Sequence, residues 1–317
     1  MTDPILPGVR VVALGGGHGL AANLSALRTF CHDLTAVVTV ADNGGSSGRL
    51  RDEFGALPPG DLRQALAALC RDDEWGRTWA SVLQHRFDSE GALHQHAVGN
   101  LLIVALWELL GEHVEGLDWV GRLLGAQGRV LPMSAVPLDI LADVRGADPA
   151  APDALTTVRG QVEVATTVGQ VESVSLLPPD PPACPEALQA ISRADWVILG
   201  PGSWYTSVLP HLLVPDMLDA LTTTRARRCV TLNLAPQQGE TEGFAASTYV
   251  EVLAMHAPDL QIDVVLGDGQ QGDDLEMLEE TVNALGADLV LADLAAADGT
   301  ARHDQHKLAS AYAKMMR

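Results

Sequence analysis

The sequence predicts an α/β fold of the Rossmann-like kind: a mostly parallel sheet with helices on both faces, an inserted helical layer and a small mixed β patch. Three observations lead there. A short β-branched run over residues 9–14 stops abruptly at Gly15, Gly16, Gly17 and Gly19, and a helix is expected from about Leu20. A second strand, residues 35–40, opens into another glycine-rich turn that runs from Asp42 and Asn43 through Ser46 to Arg49 and Arg51. From Trp196 the strand and helix signals alternate again, with strands expected over 196–199, 230–234, 262–266 and 289–291 and a last helix from about Lys307.

Between these halves the texture changes twice. Apolar periodicity predicts helices over 62–69, 75–84, 96–110 and 117–124, the inserted layer. Residues 129–177 then break into short β-branched pieces, such as 162–167 and 171–177, which read as an antiparallel or mixed patch. Within it, residues 147–153 hold two prolines and two acids among small residues and read as an exposed loop.

The glycine turns carry the first functional signal. Glycine lacks Cβ, so backbone N–H groups at a helix N-terminus can approach an anion closely, and the macrodipole adds to the attraction. His18, inside the first turn, either flanks such a phosphate or points to solvent. Asp42 offers a carboxylate to a ribose, a sugar hydroxyl or a hydrated Mg²⁺, Asn43 and Ser46 offer neutral donors, and Arg49 and Arg51 offer forked cations. Asp61, placed before an apolar-periodic run, reads as a helix N-cap. Gly17-His18-Gly19-Leu20-Ala21-Ala22 also matches the G-x-G-x-x-A dinucleotide fingerprint.

Further along, Gly200, Pro201, Gly202 and Ser203 follow a buried strand, with Ser203 at an expected N-cap and Thr206 and Ser207 in the first turn. Those amides and hydroxyls suit a diphosphate. Asn233 ends another strand and either contacts a base or sugar or only shapes its turn. Asn100, four residues after His96 in an apolar helix, needs a partner, either ligand or backbone carbonyl. The pairs His94/His96 and His303/His306 lack an obvious third ligand for zinc.

Taken in order, these blocks resemble the YvcK-type gluconeogenesis factors, within the superfamily of 2-phospho-L-lactate transferase (CofD). The resembling segments are residues 11–63, 96–102, 199–207, 233–241 and 302–304. The resemblance implies a single CofD-like α/β domain over 1–317, with the helical insertion at about 60–126 and the β patch at about 129–178. It also implies that the block from Asn233 lines the nucleotide side of a pocket. Arg302 would then belong to the ligand site, a solvated surface arginine being the plainer alternative.

The same resemblance implies a function in one of two forms. The first is a regulatory protein that binds a UDP-sugar, UDP-N-acetylglucosamine or UDP-glucose, and links carbon metabolism to cell-wall synthesis and cell shape through protein partners. The second is a Mg²⁺-dependent transferase that uses a guanylylated donor, with Asp42 and Asp61 holding the metal. Asn43 stands where the transferase branch carries a second Asp, which favours the regulatory form. With 4% aromatic residues, Trp204 and Tyr205 are the stacking candidates for a flat acceptor. An NAD-dependent dehydrogenase has only the short fingerprint in its favour.

Bulk properties fit this picture. A formal charge of −21, from 41 acidic against 20 basic residues, opposes binding to nucleic acid or anionic lipid. Cys31, Cys70, Cys184 and Cys229 are scattered and read as reduced core residues. The longest apolar run, 101–110, is too short to span a bilayer, and no leader-like segment is evident, so a cytoplasmic protein is expected, with a homodimer possible.

Overall fold

The structure, a computed structural model, describes residues 8–148, 150–151, 153–237, 239–270 and 274–317. Pro149 and Pro152 of the expected loop, and Gln238 of the block that starts at Asn233, lie outside the described residues.

Seven strands make the central sheet: β1 (Arg10–Gly15), β2 (Asp33–Val38), β3 (Arg129–Pro132), β7 (Trp196–Leu199), β8 (Arg227–Thr231), β9 (Val264–Asp268) and β10 (Asp288–Ala292). All neighbours pair in parallel, in the order β10-β9-β8-β7-β1-β2-β3. The chain therefore grows outward from β1 through β2 and β3, then returns to the other side of β1 with β7. That reversal is the switch point at which open α/β sheets bind ligands, beyond the carboxyl ends of their strands. The central strands are apolar along their length because flanking helices cover the sheet. Helix α1 (Gly17–Leu27) buries Leu20, Leu24 and Leu27, one stripe at helical spacing.

Between β2 and β3 stand α2 (Gly45–Phe54), α3 (Gly60–Ala68), α4 (Glu74–Gln84), α5 (Val98–Leu110) and α6 (His113–Leu124); the last four match the expected helices, whereas α2 forms where the sequence suggested only a glycine-rich turn. Helix α5 begins after His96, so His96 and Asn100 do not share a helical face as their spacing suggested.

The β patch differs from expectation in two ways. Strand β3 joins the central sheet against β2, so the patch starts ten residues later than predicted, at β4 (Asp139–Arg145). With β5 (Leu155–Arg159) and β6 (Gln170–Leu177) it forms an antiparallel sheet in the order β5-β4-β6. Residues 162–167, expected to be a strand, instead supply most of helix α7 (Gln161–Thr166). The β-branched composition favours a strand, but tertiary bonds override it. Gly160 at φ +109° turns the chain, the Asn43 side chain accepts from Val162 N–H at 3.1 Å and donates to Glu163 at 2.8 Å, and Val164 packs fully buried. All four cysteines are buried and unbridged. Among the described residues no helix is long and apolar enough to cross a membrane.

Candidate functional site

A cavity of about 760 Å³ opens where β1 and β7 end. Gly16, Gly17, His18 and Gly19 line one wall, Pro201, Gly202, Ser203 and Ser207 the next, and Asn233 and Arg302 complete the rim. Segments far apart in sequence thus meet at the switch point.

Close backbone approach explains the glycines. A Cβ on Gly19 would lie 2.3 Å from the Pro201 carbonyl oxygen and 2.6 Å from Gly202 Cα, so only glycine lets α1 start against the β7 turn. A Cβ on Gly16 would lie 2.5 Å from both Asp61 Oδ2 and Thr39 Cγ2. Two buried amides lock the second wall. Asn23, on α1, donates to the Gly200 carbonyl at 2.8 Å. Asn233 donates to the Gly202 carbonyl at 2.8 Å and accepts from Gly202 N–H at 2.9 Å. These two bonds shape the turn while the residue also lines the cavity. Gly15 and Gly200 do not line the cavity; Gly15 ends β1, and Gly200 adopts φ +73° to make the turn.

The donors expected around Ser203 are also spoken for. The turn after it, Trp204–Val208, is a π-helical one, and Glu240 caps it: Oε1 accepts from Tyr205 N–H at 2.8 Å and Thr206 N–H at 3.0 Å, while Ser203 Oγ donates to the carboxylate at 2.5 Å. A carboxylate of the chain itself therefore occupies the anion position that the sequence suggested for a diphosphate. Burial raises the Glu240 pKa, and these bonds oppose the shift. Trp204 is wholly buried and Tyr205 nearly so, which removes both as stacking platforms.

The block after β2 shows a similar division. Asn43, Ser46, Arg49 and Asn100 do not line the cavity. Asn43 holds α7. Ser46 Oγ meets His96 Nδ1 at 3.1 Å and accepts from Asn100 Nδ2 at 3.0 Å, and Arg63 Nε donates to Asn100 Oδ1 at 2.8 Å. Asn100 thus finds side-chain partners in Arg63 and Ser46. Arg49 points away, to the His94 carbonyl at 2.8 Å, and Arg51 pairs with Asp139 at 2.6 Å. These cations brace loops because the chain's own acceptors lie nearer than the cavity.

Asp42 does not line the cavity; it accepts from Gly44 N–H at 2.9 Å and lies against Gly60 in the first turn of α3. Asp61 is its neighbour. It is no N-cap: Pro59 holds that position without a side-chain cap, and Asp61 sits in the first turn, 6% exposed, with Oδ2 lacking a partner against Gly16. Burial first, and the Asp42 charge second, push its pKa up to about 7. A local Pro-Gly-Asp pattern looks like a helix start whichever way the side chain points, so the sequence held no signal for this placement. Neither Asp42 nor Asp61 is among the residues that line the cavity, although their charges interact. Among the described residues no three His, Cys, Asp or Glu gather around a common point.

Two further cavity residues escaped sequence reasoning, Gln161 from α7 and His303 as a wall residue, while Gln237 belongs to the block from Asn233 that the resemblance had placed at the pocket. Gln161 and Gln237 each hold a buried carbonyl oxygen without a partner, and His303 a buried Nε2 likewise. Burial pushes the His303 pKa down to about 4. Nothing in a polar residue next to a turn marks it as facing a cavity.

A parallel sheet in Rossmann-like order, a glycine-walled cleft at its switch point, an inserted helical layer and a small antiparallel sheet define an elaborated Rossmann-like α/β fold. The chain belongs to the 2-phospho-L-lactate transferase CofD family, whose family model matches residues 11–306. A relative from Mycobacterium tuberculosis (strain H37Rv) is 52% identical over 303 residues, covering 95% of this chain and 88% of that protein. The gluconeogenesis factor of Listeria monocytogenes is 32% identical over 318 residues, covering 97% and 95%. A crystal structure of a UPF0052 family member from Bacillus halodurans superposes with a TM-score of 0.85 at 32% identity, covering 96% of this chain and 99% of that one.

Proposed function

We propose that this chain is a cytoplasmic regulatory protein that binds a UDP-sugar and acts in gluconeogenic growth, coupling carbon supply to cell-wall synthesis and cell shape through protein partners. One observation carries the binding half: Gly16 to Gly19 wall the cavity at the switch point, where the N-terminus of α1 can meet a diphosphate despite a net charge of −21. Arg302 at the rim adds a local cation. The relatives named gluconeogenesis factor support the physiological half. The commitment of Arg49, Arg51 and Asn43 to loop bracing supports binding over turnover, since it leaves few mobile charged groups near the ligand.

A second reading, a transferase resembling 2-phospho-L-lactate transferase, is favoured by the unpartnered Oδ2 of Asp61 beside Asp42. Those two carboxylates would hold Mg²⁺, which when bound offsets charge on a diphosphate. Calorimetry with UDP-N-acetylglucosamine, UDP-glucose, GDP, GTP and NAD, with and without Mg²⁺, separates the readings. Tight UDP-sugar binding with no product supports the regulatory one. Binding of guanine nucleotides alone, or turnover lost in Asp42→Ala, replaces it with the transferase.

A further inference from the structure

The two outer strands of the central sheet are finished differently. At one edge β3 is short, carries Arg129 and Pro132, and is buried from its second residue on. Charge, proline and cover are the usual means by which an edge strand is kept from pairing with another chain. At the other edge β10 has neither a proline nor a charge after Asp288. Leu289, Val290 and Ala292 are only half-buried, and Leu291 is 36% exposed. Strand β10 pairs with β9 alone, so the backbone N–H and C=O groups of its outer side have no strand partner among the described residues.

Beside this edge lies a groove of about 590 Å³, lined by Val290 and Leu291 of the strand and by Ala311 and Met315 of the helix Gln305–Met315. Lys307 and Lys314 of that helix also line it, and they are the only lysines in the chain. Lys307 is spent locally, donating to Asp293 at 2.7 Å and to the Ala295 carbonyl at 2.8 Å. Lys314 is exposed and meets no acceptor among the described residues. Asp288, at the start of the strand, is offset by Arg227 at 3.7 Å. Apolar surface, unpaired backbone and an uncommitted cation thus coincide at one place. A second copy of the chain would bring a further charge of −21 to that place and repel. A short docking segment senses mainly the charges of the groove itself, because salt screens the rest beyond about 8 Å.

We propose that β10 is a docking edge for a partner protein, which adds an extended apolar segment as one more strand of the sheet and sets a carboxylate against Lys314. Main-chain bonds to the open edge supply the affinity, and the groove and its lysine supply the choice of segment. This gives the protein partners of the proposed function a place to bind and rests on that reading only for their existence. Ligand titrations of the same protein test the cleft separately, so either idea can fail without the other.

The probe is a capped peptide of valine and threonine that carries glutamates, compared by fluorescence anisotropy with its counterpart carrying lysines. The glutamate peptide is expected to bind at least about fivefold tighter, and Lys314→Glu to reverse that order. N-methylation of alternate peptide residues should abolish binding in one register and leave it within about twofold in the other, as strand addition requires. Leu291→Lys, which puts a charge on an exposed position of the strand, should weaken binding about tenfold with the melting temperature unchanged. Equal affinity for the two peptides, indifference to the register of N-methylation, or no binding of either at millimolar concentration overturns the inference. So does a wild-type dimer in sedimentation that Leu291→Lys converts to monomer, since a second copy then holds the edge. Lys314 is exposed, so Lys314→Glu keeps the measurement decisive should Leu291→Lys fold poorly.

Discussion

Asp61→Asn should make this protein more stable at neutral pH, and the gain should disappear in acid. The wild-type carboxyl is 6% exposed, and burial together with Asp42 lifts its pKa from the ordinary 3.8 to about 7. A group whose folded pKa lies above its unfolded value adds stability below the unfolded pKa and loses it as pH climbs through the folded one. Between about pH 4 and 7 the wild type should therefore lose stability that an amide, which cannot ionise, keeps. Roughly three units at about 1.4 kcal/mol each place the gap near ~4 kcal/mol above pH 7. Urea unfolding at pH 5, 6, 7 and 8 in EDTA reads it as a midpoint shift at constant slope. An Asn variant no more stable than wild type at pH 8, or one with the same advantage at pH 5, refutes the reasoning. Adding Mg²⁺ should narrow the gap at pH 8 only if Asp42 and Asp61 hold the ion.

Three other outcomes follow from the same geometry. Gly19→Ala drives a methyl into the Pro201 and Gly202 backbone, so a loss of about 1–3 kcal/mol is expected by thermal or urea unfolding, despite the better helix propensity of alanine. Glu240→Ala strips the buried Tyr205 and Thr206 N–H groups of their acceptor and should cost at least ~2 kcal/mol, whereas Glu240→Gln, which keeps one carbonyl oxygen, should cost less in the same unfolding assay. Arg302→Ala at the exposed rim should change stability by less than about 0.5 kcal/mol, yet weaken nucleotide binding most at low salt, as titrations at two ionic strengths would reveal.

Legibility in the sequence followed the range of the interactions concerned. Strands such as Trp196–Leu199 appear at their expected bounds, because a buried parallel strand is continuously apolar and ends where glycine begins. The glycine walls were readable for the same reason: a missing Cβ at a strand end is a local property with a spatial consequence. Residues 162–167 misled because their β-branched composition is local, while the Asn43 bonds that make them helical come from 119 and 120 residues away. Arg49 and Arg51 misled in the opposite sense, since charge near a glycine turn suggests phosphate until the competing acceptors His94 and Asp139 are in place.

By itself, then, the order of residues determined the layered α/β architecture, the inserted helices, the family and the two glycine walls, all of which depend on patterns within a few turns of chain. Only the tertiary structure decided which polar groups face the cleft. Asp61 became a buried neighbour of Asp42 rather than a cap, Glu240 took the anion position by Ser203, and Gln161 arrived on a helix the sequence did not announce. A polar side chain goes wherever the nearest unmet partner or the least costly burial lies, and that is set by segments distant in sequence.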